Sequence, residues 1–287
     1  MSNITIGVIG GSGLYAMQGL GEIERVVLNT PYGDPSDAYT IGTLSGRRVA
    51  FLPRHGVGHR LSPSEVPSRA NIHGFKQLGV QYIISVSAVG SLREEYAPGN
   101  IVVPDQLFDK TKGVRPWTYF NEGIVAHIAF DKPFCPILSA KLYEAAQEAG
   151  ATVHSGGSLV VMEGPQFSTL AESEEHRRNG HGLVGMTALP EAKLAREAEI
   201  AYATLAMVTD YDCWHPSHDS VTVDMVVSVL HANAALSQDV VRRVVAMIGA
   251  GFVSPAHSAL ATAIMTDRQL IPAAKKEQLQ LLIGKYV

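Results

Sequence analysis

The sequence predicts a single α/β domain, a mixed or mostly parallel central sheet flanked by helices, and three observations predict it. Short β-branched runs alternate with stretches of helical periodicity. Hydrophobic residues fill 46% of the 287 positions and charged residues 17%, enough apolar material for a sizeable core. No internal repeat, low-complexity tract or shift in composition marks a linker, so one domain over residues 1–287 is expected, with a helical tail from about 252.

Ile4 to Ile9, Val49 to Leu52, Tyr82 to Val86, Leu159 to Met162 and Ile200 to Val208 are short and apolar, and read as strands. Pro67 to Leu78, Ser139 to Ala149, Ala171 to Asn179 and Ala188 to Glu199 read as helices, several introduced by Ser, Thr or Pro and followed by Gly. A longer helix is expected from about Val221 to Ile248. Its Val223, Val226, Val227 and Leu230 recur at i, i+3, i+4 and i+7, a stripe that in most helices faces a core. The tail has a helical pattern from Ala273 to Ile283, and its role is not legible.

Composition also bounds function. A net charge of -4 and a pI near 6.3 argue against a nucleic-acid partner, and no run of 18 apolar residues offers a membrane span. The start, Met1-Ser2-Asn3, lacks a basic region and soon reaches glycines, unlike a signal peptide, so a cytoplasmic location and a small-molecule ligand are expected. Cys135 and Cys213 are too few for a disulfide framework or a four-cysteine zinc site, and Cys213 reads as a packing residue.

The strand from Ile200 is closed by Thr209-Asp210-Tyr211-Asp212. If the extended backbone continued, Asp210 and Asp212 would point to the same side. Two acceptors on one edge suit a ring nitrogen beside an amino group, as in adenine. Two solvated aspartates in a turn, or metal ligands, are the alternatives. Four other segments suit an anion. Val8-Ile9-Gly10-Gly11-Ser12-Gly13 runs from a strand into glycines whose N–H groups can approach a charged oxygen, with the Ser12 hydroxyl as an added donor. Leu52-Pro53-Arg54-His55 delivers a guanidinium fork and a histidine at a strand end, the histidine read as a further donor. Ser87 and Ala88 follow the strand at Tyr82. Met186-Thr187 precedes a helix that Thr187 could simply cap. The segment Gly11 to Ala16 also fits a dinucleotide fingerprint, but Gly19 and Gly21 cut short the helix that such a site needs. An acidic pair for a purine and donors for a phosphate together frame the C1′ carbon of a ribose.

These residues resemble the 5′-methylthioadenosine phosphorylase family of nucleoside phosphorylases. The resemblance rests on Gly10-Gly11-Ser12-Gly13-Leu14, Pro31-Tyr32-Gly33-Asp34-Pro35-Ser36-Asp37, Arg54-His55-Gly56, Ala70-Asn71-Ile72, Gly90-Ser91-Leu92-Arg93-Glu94-Glu95, Glu163-Gly164-Pro165-Gln166-Phe167-Ser168, Met186-Thr187 and Thr209-Asp210-Tyr211-Asp212-Cys213-Trp214, in that order over roughly residues 4 to 250. It implies the single-domain nucleoside phosphorylase fold and a homotrimer with sites at subunit interfaces. It implies that Ser12, Arg54, His55, Ser87, Ala88 and Thr187 hold phosphate and that Met186 lies against the ribose. Asp210 and Asp212 would take the adenine edge, with Phe167 and Ser168 beside the base. Val223, Val226 and Val227, with His127 from a neighbouring subunit, would form the alkylthio pocket. Inorganic phosphate would be co-substrate, with no cofactor and no metal.

The implied reaction is phosphorolysis of methylthioadenosine to adenine and 5-methylthioribose 1-phosphate, with inversion at C1′, as in purine and methionine salvage. Asp210 would be the catalytic acid toward N7. Relatives that cleave 6-oxopurine nucleosides carry asparagine at that position. Ser12 and Ser87 stand where many members have threonine, Pro67-Ser68 where Asn-Tyr is frequent, and the tail beyond about Gly251 is longer than the family pattern implies.

Overall fold

The computed structural model describes residues 4–11, 17–216, 222–249 and 252–287. In chain order, strands β1 (Ile6–Gly10), β2 (Gly21–Val26), β3 (Tyr39–Leu44) and β4 (Arg47–Pro53) precede helix α1 (Ser68–Gln77). Strands β5 (Tyr82–Ser91), β6 (Ile101–Val103) and β7 (Gln106–Lys110) lead to α2 (Pro136–Glu148). Then come β8 (Val153–Ser155), β9 (Ser158–Met162), α3 (Leu170–Arg178), β10 (Leu183–Gly185), α4 (Ala188–Glu197) and β11 (Ala201–Asp210). Helices α5 (Val223–Ala232) and α6 (Ala234–Met247) precede a 3-10 turn at Pro255–Ser258 and the short α7 (Ala273–Gln278) and α8 (Gln280–Ile283).

One mixed sheet joins these strands. β1 is parallel to both β4 and β5, and β11 runs parallel to β5 along nearly its whole length. Their C-terminal ends therefore share one edge, where ligands of open α/β sheets bind. Side chains alternate with period two, so Ile6, Val8, Ala203, Leu205 and Met207 enter one core layer. Ile9, Tyr202, Ala206 and Val208 enter the other.

The decisive feature of topology is a fork at β5. On one side β5 pairs with β1 from Tyr82 to Ser85, then with antiparallel β10 at Gly90 and Ser91. Between these pairings, Val86 to Val89 have no strand partner on that side among the described residues. Backbone groups there are thus open to partners other than a strand, and the Val86 and Val89 carbonyls accept from Arg54 Nη1 and Thr209 Oγ1.

The expected strands and the first four helices form with shifted ends. Short strands β6, β8 and β10, of three residues each, are too brief for a periodic signal, and β2 is an exposed edge strand. The expected helix from Val221 to Ile248 is not continuous. Asn233 ends α5 and begins α6, and Val221 lies outside the described residues. Helix α6 buries Val240, Val241, Val244 and Val245, whereas α5 buries no residue, so the stripe at Val223, Val226 and Val227 is not core in this chain. The tail docks on the main core through Leu279, Leu282 and Ile283, and Ile264 bridges Ala126.

Candidate active site

Arg54 leaves the end of β4 and is 2% exposed. A buried guanidinium needs a counter-charge and a full set of acceptors. The Glu191 carboxylate of α4, itself 1% exposed, supplies the first: it accepts from Nε at 2.8 Å and from Nη2 at 2.9 Å. Nη2 also donates to Ser85 Oγ at 2.8 Å, and Nη1 to the Val86 carbonyl at 3.2 Å, at the fork in the sheet. Tyr202 donates its hydroxyl to Glu191 Oε1 at 2.7 Å. Sequence reasoning missed Glu191. The signal was an acidic residue in the apolar first turn of a buried helix, which demands a cation.

His55 donates from Nδ1 to the Leu61 carbonyl at 2.8 Å, and its ring stacks on His59 at 4.2 Å. Burial, with the Arg54 charge beside it, lowers its pKa to about 4. At neutral pH the ring is therefore uncharged, and Nε2 is an acceptor. A donor from Nε2 to an anion beside Arg54 then requires a second proton on the ring.

Ser87 and Ala88 lie in the stretch of β5 that pairs with β11 but has no strand partner on its other side among the described residues. The Ser87 hydroxyl is buried with no partner among the described residues. β10 then carries the chain into Met186 and Thr187 at the start of α4. Thr187 occupies the N-cap position, but its side chain makes no capping bond, so the simple capping reading does not hold. Arg115 straps this corner. It pairs with Glu163 at 2.9 Å and donates to the carbonyls of Met186 at 2.6 Å and Leu189 at 2.8 Å. Gly164 adopts φ +64, and a Cβ there would stand 2.5 Å from Met186 Sδ, so only glycine permits the approach. Ser12 lies outside the described residues. Gly10, two residues before it, pairs with Pro53 and accepts from the Arg54 N–H at 3.0 Å.

The acidic pair does come together, but not by continued extension. β11 ends at Asp210, which pairs with Gly90 after a bulge, and Asp212 turns back at φ 51. The Asp212 N–H donates to Asp210 Oδ1 at 2.8 Å, and Thr209 Oγ1 donates to Asp210 Oδ2 at 2.7 Å. Gly90 makes room, since a Cβ there would stand 2.9 Å from Asp210 Oδ1. Burial pushes the Asp210 carboxyl above the usual range. The Thr209 hydroxyl and the Asp212 N–H pull it partly back, and the Asp212 charge raises it again. Burial raises Asp212 too, opposed by the hydroxyls of Ser173 and Ser168, and its Oδ2 has no partner among the described residues. Trp214 donates to the Ser91 carbonyl at 2.7 Å and Tyr211 to the Glu94 carbonyl at 3.0 Å, which fixes the loop carrying the pair.

A cavity of about 490 Å³ opens at Asp210, lined by Pro98, Thr209, Tyr211 and the α5 residues Asp224, Met225, Ser228 and Val229. The valines singled out in the sequence, Val223, Val226 and Val227, are not among its walls. Val223 is 65% exposed and Val227 41%. Phe167 is also exposed, and the Ser168 carbonyl meets the Cys213 thiol at 3.5 Å. Burial raises the Cys213 pKa, which keeps it a thiol and favours the packing reading. His127 does not join its own chain's cavity. It sits exposed on the strip beside the tail, its N–H donating to the Ala263 carbonyl at 2.8 Å. No group of three or more His, Cys, Asp or Glu among the described residues could hold a metal ion.

Residues 5–246 match the family model of the phosphorylase superfamily. The chain belongs to that superfamily. Among its relatives, the S-methyl-5′-thioadenosine phosphorylase of Chloroflexus aurantiacus is 69% identical over 286 residues, covering 100% of this chain and 99% of the relative. That of Geobacter sulfurreducens is 57% identical over 282 residues, covering 98% and 99%. A methylthioadenosine phosphorylase from an antarctic soil metagenomic library superposes with a TM-score of 0.93 at 49% identity, covering 98% and 99%. The Schistosoma mansoni enzyme in complex with adenine superposes at 0.83 with 33% identity, covering 98% of each chain. The superfamily fold, a mixed sheet between helical layers, is the architecture described above.

Proposed function

We propose that this superfamily member catalyses phosphorolysis of 5′-methylthioadenosine, giving adenine and 5-methylthioribose 1-phosphate in purine and methionine salvage. The observation that carries the reading is Asp210, a buried carboxyl whose affinity for a proton is raised where an amino-purine would present N7. It supports a 6-amino base over a 6-oxo one, because a carboxyl pair can donate to N7 and accept from N6.

In the proposed step the C1′–N9 bond breaks, its electron pair leaves with the purine, and a phosphate oxygen bonds to C1′ from the opposite face. The proton from Asp210 goes to N7 and neutralises the leaving base. Ser12, Arg54, His55, Ser87, Ala88 and Thr187 hold the phosphate, and Met186 lies against the ribose. Phe167 and Ser168 flank the base. The fork at β5 supports this assignment: Val86 meets Arg54 and Gly90 meets Asp210, four residues or about 13 Å apart along one strand. A purine nucleoside with a phosphate beneath its sugar spans such an interval.

The reading includes a homotrimer. The solvent-facing valines of α5 and the outward His127 are groups that a second copy of the chain would cover, closing an alkylthio pocket over Val223, Val226 and Val227. Burying a methylthio group there would contribute about 1–2 kcal/mol, a preference over a 5′-hydroxyl rather than its exclusion. Phosphate is the co-substrate and no cofactor is required. No helix among the described residues is long and apolar enough to cross a membrane, and the place of action we propose is the cytoplasm.

The test mixes the protein with methylthioadenosine, with and without inorganic phosphate, and follows free adenine chromatographically. Adenine appearing only with phosphate is the expected result. Release without phosphate would make the protein a hydrolase, and no release would remove the reading.

A further inference from the structure

We infer that Glu191 is a positioning residue for phosphate: it fixes the Nε–Nη2 side of Arg54 so that the guanidinium stands in one orientation at the fork of β5. This rests on the reading of that end of the sheet as the phosphate site.

Three features carry the inference. Both oxygens of Glu191 engage the same guanidinium, at 2.8 and 2.9 Å, which locks its plane as well as its position. Glu191 is itself oriented, because Tyr202 donates to Oε1 from the buried start of β11. The third feature is location. Glu191 lies four residues after Thr187, just past a break in helical geometry at Leu189, so one short segment of chain carries both Thr187 and the carboxylate that aims Arg54.

The charge balance gives the arrangement a purpose. Arg54 and Glu191 cancel, and His55 is neutral at physiological pH, so these three residues present no net charge. Recognition of phosphate must then depend on where donors point rather than on a bare positive charge. An unanchored arginine would fail at that task, since a flexible side chain must be ordered when the ligand arrives.

The test keeps the charge constant. Glu191→Asp retains the carboxylate but withdraws it by one methylene from the guanidinium. Binding of inorganic phosphate and of adenine is measured separately by calorimetry on the folded protein, with thermal unfolding recorded for each variant. The expected result is phosphate affinity weakened by about ten-fold, the scale of a charged hydrogen bond, with adenine affinity changed by less than about two-fold. Tyr202→Phe leaves both charges in place and is expected to weaken phosphate by a smaller factor, roughly two- to five-fold. It decides the matter if Glu191→Asp does not fold. Wild-type phosphate affinity in folded Glu191→Asp, or equal weakening of phosphate and adenine, overturns the inference and leaves the proposed function standing. Failure of the wild-type protein to bind phosphate at all overturns both.

Discussion

The two ends of the candidate site are built on opposite principles. Around Arg54, charges cancel inside the protein: the guanidinium and Glu191 are almost wholly buried and bonded to each other, to Ser85 and to backbone carbonyls. Around Asp210 and Asp212, two like charges are buried together with no cation paired to them among the described residues, and both carboxyls are raised. The first end is rigid and electrically neutral. The second holds unfavourable charge that a ligand or a proton can relieve. A protein can tolerate the second because the core layers on both faces of the sheet stabilise the fold around it.

The largest expected effect sharpens this contrast at the rigid end. Arg54→Met removes one partner of a buried pair and strands the Glu191 carboxylate. Folding should lose about 3–5 kcal/mol, measured by urea unfolding. Adding Glu191→Met to the same chain should recover much of the loss, because an apolar pair of similar volume leaves no uncompensated charge. A single variant as stable as wild type would break the comparison, for it would show that the pair is not an internal unit.

The second prediction concerns the strained end, where function and stability should move in opposite directions. Asp210→Asn removes the proton that the proposed step passes to N7, so kcat/KM for methylthioadenosine should fall by about 10²-fold or more in steady-state assays. Its stability should rise at neutral pH. A carboxyl whose pKa is raised on folding contributes stability below its unfolded pKa, about 3.9 for aspartate, and loses it as pH rises through the folded value. The variant's advantage should therefore be present at pH 7 and vanish in acid below the ordinary aspartate range. A variant less stable than wild type at pH 7 and equal to it in acid would reverse the sign and show the pair to be stabilising.

The same contrast explains what could be read from the chain. The α/β class and the strands leading to Arg54, Ser87 and Asp210 were legible because buried strands leave long apolar runs, although β5 runs on past Ser87 to Ser91. Glu191 was not, since its partner lies 137 positions away and only the fold brings the two together. The geometry of the acidic pair was misread because period-two reasoning assumes that extension continues, whereas Asp212 turns into the left-handed region. The charge state of His55 was not legible, because it follows from burial and from the Arg54 charge beside it, and its tautomer from the Leu61 carbonyl. The valine stripe shows the complementary limit. Helical periodicity reports that one face of α5 is apolar, and it does not report what covers that face.

That limit leads to the smallest expected effect. If Val227 meets only solvent in the single chain, Val227→Ser removes no core contact, and its unfolding free energy as a monomer should change by about 0.5 kcal/mol or less. If a second copy of the chain closes over α5, the same substitution should narrow the preference for methylthioadenosine over adenosine, seen as converging kcat/KM values for the two nucleosides. The substitution thus separates two explanations of an apolar helix that buries nothing. A large loss of monomer stability would place α5 in the core after all. An unchanged preference with unchanged stability would remove Val227 from the pocket and leave Met225 and Val229, which already line the Asp210 cavity, as its apolar wall.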